Sequence, residues 1–151
     1  MTQLRSGSHV VFRIYLHIVF VTKYRRKVLT SAMLETMKPV LERVLSANRC
    51  FLTEFQGEPD HVHLLIDLHP DNNISHLVSS LKSASSRVLR QQFKAEINKV
   101  YCGKAKLWHD SKCIISCEGA PLQTIKSYIQ NQSGGTIHPH PVEGGEFRIL
   151  C

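Results

Sequence analysis

His61 and His63 stand two residues apart in the run Pro59-Asp60-His61-Val62-His63-Leu64-Leu65. On an extended segment this spacing sends both imidazoles to one surface, near enough to share a divalent cation. A lone His-x-His pair is a weak signal, because two half-buried histidines are the plain alternative. Here it gains weight from Asp60, which leads straight into it within an otherwise basic chain. Tyr128 and Gln132, four residues apart, share one face of a helix. A tyrosine beside Ile125 and Ile129 is ordinarily core packing with its hydroxyl at the rim, and Gln132 equally suits a solvated helix end. The two pairs form one site only if that helix docks on the histidine face of this chain or of a partner subunit. His69, His76 and His109 are alternative ligands, and His138-Pro139-His140 is an incidental metal-binding candidate.

The elements that must position these groups follow from periodicity. Residues 10–21, rich in β-branched and aromatic types, predict a long strand, ended by Lys23-Tyr24-Arg25-Arg26-Lys27. Leu34, Met37, Leu41, Val44 and Leu45 recur at helical spacing over residues 31–47, with Pro39 expected to kink the helix or mark a late start. Residues 49–56 make a second strand, closed by the turn residues Gly57-Glu58-Pro59-Asp60. Residues 61–68 make a third, with Val62, Leu64, Ile66 and Leu68 on one face and His61, His63, Leu65 and Asp67 on the other. Asp71-Asn72-Asn73 caps a helix over 74–94, and residues 112–117 form a fourth strand led by Leu107-Trp108. Gly119-Ala120-Pro121 opens a last helix stopped by Ser133-Gly134-Gly135. The order β-α-β-β-α-β plus a helix is ferredoxin-like α+β: one antiparallel sheet with both helices on one face. The apolar side of strand 61–68 then packs on the helices, which turns His61 and His63 to the uncovered side.

The chain's 151 residues suit one domain, read as residues 1–133 with a Gly-, Pro- and His-rich flexible tail over 134–151. No apolar run approaches the roughly 20 residues that span a bilayer, and no signal-peptide pattern opens the chain. Five cysteines, none in a Cys-x-x-Cys pair, read as reduced thiols of a cytoplasmic protein. The net charge is +7 and unevenly placed. Residues 1–50 carry nine basic and two acidic side chains, 51–81 none and five, 82–112 eight and two, and 113–151 two and three. Two basic blocks flanking an acidic one suit a polyanion partner, foremost nucleic acid; a solvated surface is the bland alternative.

The run Pro59-Asp60-His61-Val62-His63-Leu64-Leu65 resembles the histidine-hydrophobe-histidine motif of the TnpA-type single-tyrosine (HUH) transposases of small bacterial insertion sequences. Further matches are His17 to Arg26 in the first strand, Leu81-Lys82-Ser83 and Ser85-Ser86-Arg87 in the second helix, Leu107-Trp108, and Tyr128-Ile129-x-x-Gln132. Each is weak alone; together, across roughly residues 12–133, they are highly specific. The chain departs from the family pattern after Trp108, where His109 to Cys113 replaces a serine-proline-aromatic stretch and Ser116-Cys117-Glu118-Gly119 replaces serine-x-glycine. It departs again in the tail.

The resemblance implies that His61, His63 and Gln132 hold Mg²⁺ or Mn²⁺ and that Tyr128 is the nucleophile. The phenol would attack a phosphodiester of single-stranded DNA to give a 5′-phosphotyrosine and a free 3′-OH. The ion preference comes from the resemblance, because imidazoles favour Zn²⁺ or Cu²⁺ at least as strongly. Hairpins at transposon ends would be the substrate and a homodimer joined along a sheet edge the working unit, with the tyrosine serving either subunit. Lys23, Tyr24, Arg25 and Arg26 and the helical set Lys82, Arg87, Arg90 and Lys94 are the DNA-contact candidates, with Tyr24 or Phe20 as a base-stacking surface. Two rival readings are a ferredoxin-like single-strand binder, which needs aromatic residues on its exposed central strands, and a transposase-derived regulator that no longer cleaves.

Overall fold

The computed structural model describes residues 4–102, 106–116, 141–142 and 145–146. Its centre is a four-stranded antiparallel sheet made of β3 (Tyr15–Thr22), β4 (Phe51–Glu58), β5 (His61–Asp67) and β6 (Trp108–Ser116), in the order β4-β5-β3-β6. Both crossovers are helical: α1 (Ser31–Ala47) joins β3 to β4, and α2 (Ile74–Gln92) with α3 (Lys94–Tyr101) joins β5 to β6. This is the ferredoxin-like α+β arrangement.

The helices start where short polar side chains satisfy free backbone N–H groups. Thr30 Oγ1 accepts from the Met33 N–H at 3.3 Å and Asn73 Oδ1 from the His76 N–H at 3.1 Å. Their apolar stripes, Met33, Met37, Leu41 and Leu45 from α1 and Leu77, Val78, Leu81 and Leu89 from α2, meet Ile18, Phe20, Val62, Leu64 and Ile66 in one buried core. Every second residue of β3 and β5 therefore points at the helices. The residues between them form a separate small cluster on the opposite face, Val19, Val21 and Cys113 with Ile115 against them. The two faces of the sheet are chemically distinct.

Four expectations change. The segment 10–21 is not one strand: β2 (Val10–Phe12) pairs with β1 (Arg5–Gly7) in a separate hairpin, and β3 begins only at Tyr15. Arg5 fastens that hairpin down by an ion pair to Asp67 at 2.8 Å and by stacking on Phe12 and Phe51. Pro39 does not delay α1, which runs from Ser31 to Ala47 with the proline in its interior. Pro39 lies on the exposed side, where the carbonyl it leaves unpaired faces water. The second helix ends at Gln92, and a further helix, α3, follows across Phe93. The fourth strand starts at Trp108, four residues early, because the Trp108 indole is buried and donates to Ser85 Oγ at 3.0 Å. The expected last helix lies outside the described residues, and a two-residue pair, β7 (Pro141–Val142) with β8 (Gly145–Glu146), falls within the expected tail.

Candidate metal and nucleic-acid site

Alternation along β5 does what the sequence pattern requires. Val62, Leu64 and Ile66 are fully buried beneath the helices, and His61 and His63 project from the other face. Their ring centroids lie 4.7 Å apart, edge to face. In register, His63 is opposite Val19 and His61 opposite Val21, both members of the second cluster. The pair thus sits on an apolar floor that limits its hydration.

Each imidazole is prepared in a different way. His61 Nδ1 lies 2.6 Å from Asp60 Oδ1. A carboxylate only accepts, so the proton is on Nδ1 and the Nε2 lone pair is free to coordinate. Asp60 is held in turn by Arg25, 3.7 Å away, and by its main chain, whose carbonyl accepts from the Thr22 N–H at 2.9 Å and from Thr22 Oγ1 at 3.1 Å. His63 Nδ1 is buried with no hydrogen-bond partner among the described residues. Burial first, then the neighbouring His61 and His17, push the His63 imidazole down to about 3. At neutral pH it is an uncharged ring with free lone-pair capacity. Two imidazoles, one oriented by a carboxylate and the other uncharged with a buried unpartnered nitrogen, fit a divalent cation.

His17 on β3 shares this face, opposite Leu65, and is buried. Sequence reasoning did not single it out, although period two from Val19 and Val21 would have placed it there. His69 follows β5 at the end remote from His61, accepts the Asp71 N–H at 3.2 Å through Nδ1 and lies against Phe12. His76 is exposed on α2. His109 Nδ1 is taken up by the Ser111 N–H at 3.0 Å. Tyr128, Gln132, His138 and His140 lie outside the described residues.

The first basic cluster borders the histidine pair. Lys23, Tyr24 and Arg25 form a tight turn at the end of β3, with Tyr24 at φ 58° and Arg25 at φ 52°. Tyr24 is 68% exposed with Lys23 Nζ 5.4 Å from its ring, which leaves a face for stacking. Phe20 offers none: it is fully buried, packs on Trp108 at 5.6 Å and belongs to the core. In the helical set, Arg87 and Lys94 are exposed and Arg90 is half-buried. Lys82 is committed elsewhere. Its ammonium donates to the carbonyls of His109 at 2.7 Å, Ser111 at 3.0 Å and Asp110 at 3.5 Å, pinning the start of β6 to α2. Tyr101 joins the two basic groups: its hydroxyl donates to the Lys23 carbonyl at 2.7 Å. Burial raises its phenol pKa, which the nearby Arg26 and Arg90 oppose.

Comparison with known proteins agrees with this geometry. The family model described as "Transposase IS200 like" matches residues 10–132. ISDra2 transposase TnpA of Deinococcus radiodurans is 28% identical over 130 residues, 86% of this chain and 91% of that protein. The transposase for insertion sequence element IS200 of Salmonella typhimurium is 28% identical over 89 residues, 59% of each chain. A crystal structure assigned as a transposase of Deinococcus radiodurans R1 superposes with TM-score 0.69 at 29% identity, over 85% of this chain and 97% of that one. A REP-associated tyrosine transposase bound to a REP hairpin shares the fold, with TM-score 0.52 at 15% identity over 89% and 75% of the two chains. With more than half of its length matched, the chain belongs to the IS200-like transposase family.

Proposed function

We propose that the chain is a DNA transposase that cuts and rejoins single-stranded DNA at insertion-sequence ends with a divalent metal and a tyrosine nucleophile. The observation that carries this is the prepared imidazole pair: buried His61, oriented by Asp60 at 2.6 Å, beside a half-buried, neutral His63 whose Nδ1 lies out of water. Family membership supports DNA processing, and the solved relative bound to a hairpin supports hairpin DNA as substrate. His61 and His63, with Gln132 as third ligand, would hold Mg²⁺ or Mn²⁺. Such an ion supplies charge withdrawal from the scissile phosphate and stabilisation of the departing oxygen.

The chain's own groups do the rest. Tyr128 gives up its phenolic proton, its oxygen forms a bond to phosphorus, and the bond to the 3′ oxygen breaks. That oxygen leaves with a proton as a 3′-OH, and the 5′ phosphate remains on the tyrosine. Lys23, Arg25 and Arg26, beside the histidine pair, bind the flanking phosphates, and Tyr24 stacks a base. Two copies pair along a sheet edge, of which β4 and β6 each offer one.

The test incubates the protein with a hairpin oligonucleotide from the element's own end and Mg²⁺ or Mn²⁺, followed by denaturing electrophoresis. A covalent protein–DNA band that disappears in Tyr128→Phe while hairpin binding persists is the expected result. The same band in that variant refutes the nucleophile, and metal-dependent cleavage by His61→Ala refutes the metal role.

A further inference from the structure

A cleft of about 330 Å³ lies between α2 and β6, on the helical side of the sheet and away from the histidine pair. Its described lining includes Ser79, Ser83 and Ser86 from α2, Lys106 and Lys112 from the β6 side, and Trp108 at the floor. Hydroxyls and ammoniums are donors, and one carboxylate, Asp110, opposes them among the described lining residues. Lys106 reaches Asp110 at 3.7 Å, with both side chains more than 70% exposed, so water screens this pair and another anion can replace the carboxylate. Positive charge is already crowded here: burial and then Lys112 hold the Lys82 ammonium below its usual range.

The helix face that carries the serines continues beyond the cleft. Positions 79, 83, 86 and 90 advance by four, three and four residues, which keeps them on one face of α2. Over about 17 Å of helix the face passes from hydroxyls to Arg90, and Arg90 lines a second, smaller cleft of about 180 Å³ with Lys94 and Asn98. Arg90 and Arg26 both lie near Tyr101, whose hydroxyl is bonded to Lys23. The face therefore runs from the α2–β6 cleft to the basic turn beside His61.

We propose that this cleft is a second DNA-contact site, a track for the phosphate backbone in which Ser83, Ser86, Lys106 and Lys112 hold the strand that the basic turn leads to the histidines. The proposal rests on the DNA-processing function above. Phosphate oxygens match it chemically: hydroxyl donors pair with them without adding charge, lysines as point charges, and neither reads sequence. Lys82, spent on three carbonyls, keeps the β6 wall in place rather than touching DNA.

Because phosphate contacts are independent of sequence, a DNA hairpin of arbitrary sequence with a single-stranded flank is a sufficient probe, read by fluorescence anisotropy between 50 and 300 mM salt. The double variant Ser83→Glu/Lys112→Glu is expected to bind roughly tenfold or more weakly at low salt, with the slope of log affinity against log salt reduced by about one to two. Asp110→Asn is expected to bind more tightly than wild type. Arg43→Glu, a charge reversal on the exposed side of α1 equal to that of Lys112→Glu, is the control and is expected to lose far less. Mn²⁺ affinity and circular dichroism of the double variant are expected to match wild type, since the cleft and the histidines lie on opposite faces of the sheet. Wild-type affinity and salt slope in the double variant, or an equal loss in Arg43→Glu, overturns the track and leaves the transposase assignment standing. A wild-type protein that binds no hairpin at all overturns both.

Discussion

Removing the Asp60 carboxylate should weaken metal binding at His61 without disturbing the fold. The carboxylate meets His61 Nδ1 at 2.6 Å, a charge-assisted contact that fixes both the tautomer and the ring plane. The turn around it does not depend on the side chain, because Thr22 bonds the Asp60 main-chain carbonyl. Outer-shell partners of this kind are worth about 10–100-fold in metal affinity, or about 1.4–2.8 kcal/mol. Asp60→Ala should therefore bind Mn²⁺ about 10–100-fold more weakly. Asp60→Asn keeps an acceptor but loses the charge, which accounts for roughly half the strength of such a bond, so a loss of about 3–10-fold is expected. Arg25, 3.7 Å from Asp60 and 38% exposed in its side chain, supplies a pair worth at most about 1 kcal/mol; Arg25→Ala should cost less than about fivefold. The assay is titration of free Mn²⁺ by electron paramagnetic resonance, without DNA, so that cleavage does not enter the readout. Wild-type affinity in Asp60→Ala, or a larger loss in Arg25→Ala than in Asp60→Ala, refutes the claim that Asp60 prepares His61.

Two further outcomes follow from the same structure. His63 titrates near 6.5 when unfolded and near 3 when folded, so between those values unfolding takes up a proton at this residue. Stability is then full above about pH 6.5 and falls as pH drops through the window, at up to about 1.4 kcal/mol per pH unit from His63 alone. Urea unfolding from pH 4 to 7 should show this contribution missing from His63→Gln, and equal slopes in the two proteins would refute it. At Gly57, opposite Val62 on the helix-facing side of β4, an added methyl would collide with Leu34 Cδ2 and lie 2.8 Å from Cδ1. Gly57→Ala should destabilise by roughly 1–3 kcal/mol, and Leu34→Ala in the same chain should return part of that loss. Additive losses in the double variant would show that Leu34 is not the obstacle.

Legibility in the sequence tracked how local the determining physics is. Period two over His61 to Leu68 places the histidines on the face away from the helices, because residues 62, 64 and 66 leave one way for the strand to bury, but that face is not the bare one expected: His61, His17, Val19, Val21 and Leu65 are buried on it. The cap at Asn73 and the helical spacing from Leu34 to Leu45 are likewise local, and α1 and the start of α2 follow from them, although the buried stripe of α1 begins at Met33 and its cap is Thr30. What escaped was set by distant partners. The hairpin β1–β2 is anchored by Arg5 on Asp67, 62 residues away, and the early start of β6 rests on the Trp108 bond to Ser85 and on Lys82 reaching three carbonyls. The role first given to Lys82 shows the same limit. A lysine on the outer part of a helix reads as a phosphate contact until the strand beside it is known. Asp60 was visible as a neighbour of the motif, but its aim at His61 and its link to Arg25 depend on the positive-φ turn after Thr22, which no pattern in Lys23 to Arg26 announces.

On the proposed function, the residues on either side of β3 and β5 divide two tasks that interfere if mixed. A cation needs donors with lone pairs free of protons, where lysines would repel it, and a polyanion needs lysines and arginines in reach of water, where unpaired imidazoles add little. Placing His61 and His63 beside Val19 and Val21 and Lys106 and Lys112 on the helical margin keeps the two fields apart by the thickness of the sheet. The basic turn at Lys23 to Arg26 is where they meet. Arg25 there faces Asp60, which offsets its charge beside the histidines. Charge brought across this boundary should therefore be costly in a specific way: Val21→Lys, directed at the histidine pair, should lower Mn²⁺ affinity while leaving arbitrary-hairpin binding intact or improved. A variant that lost both together would show that metal and DNA binding are not separated by the sheet.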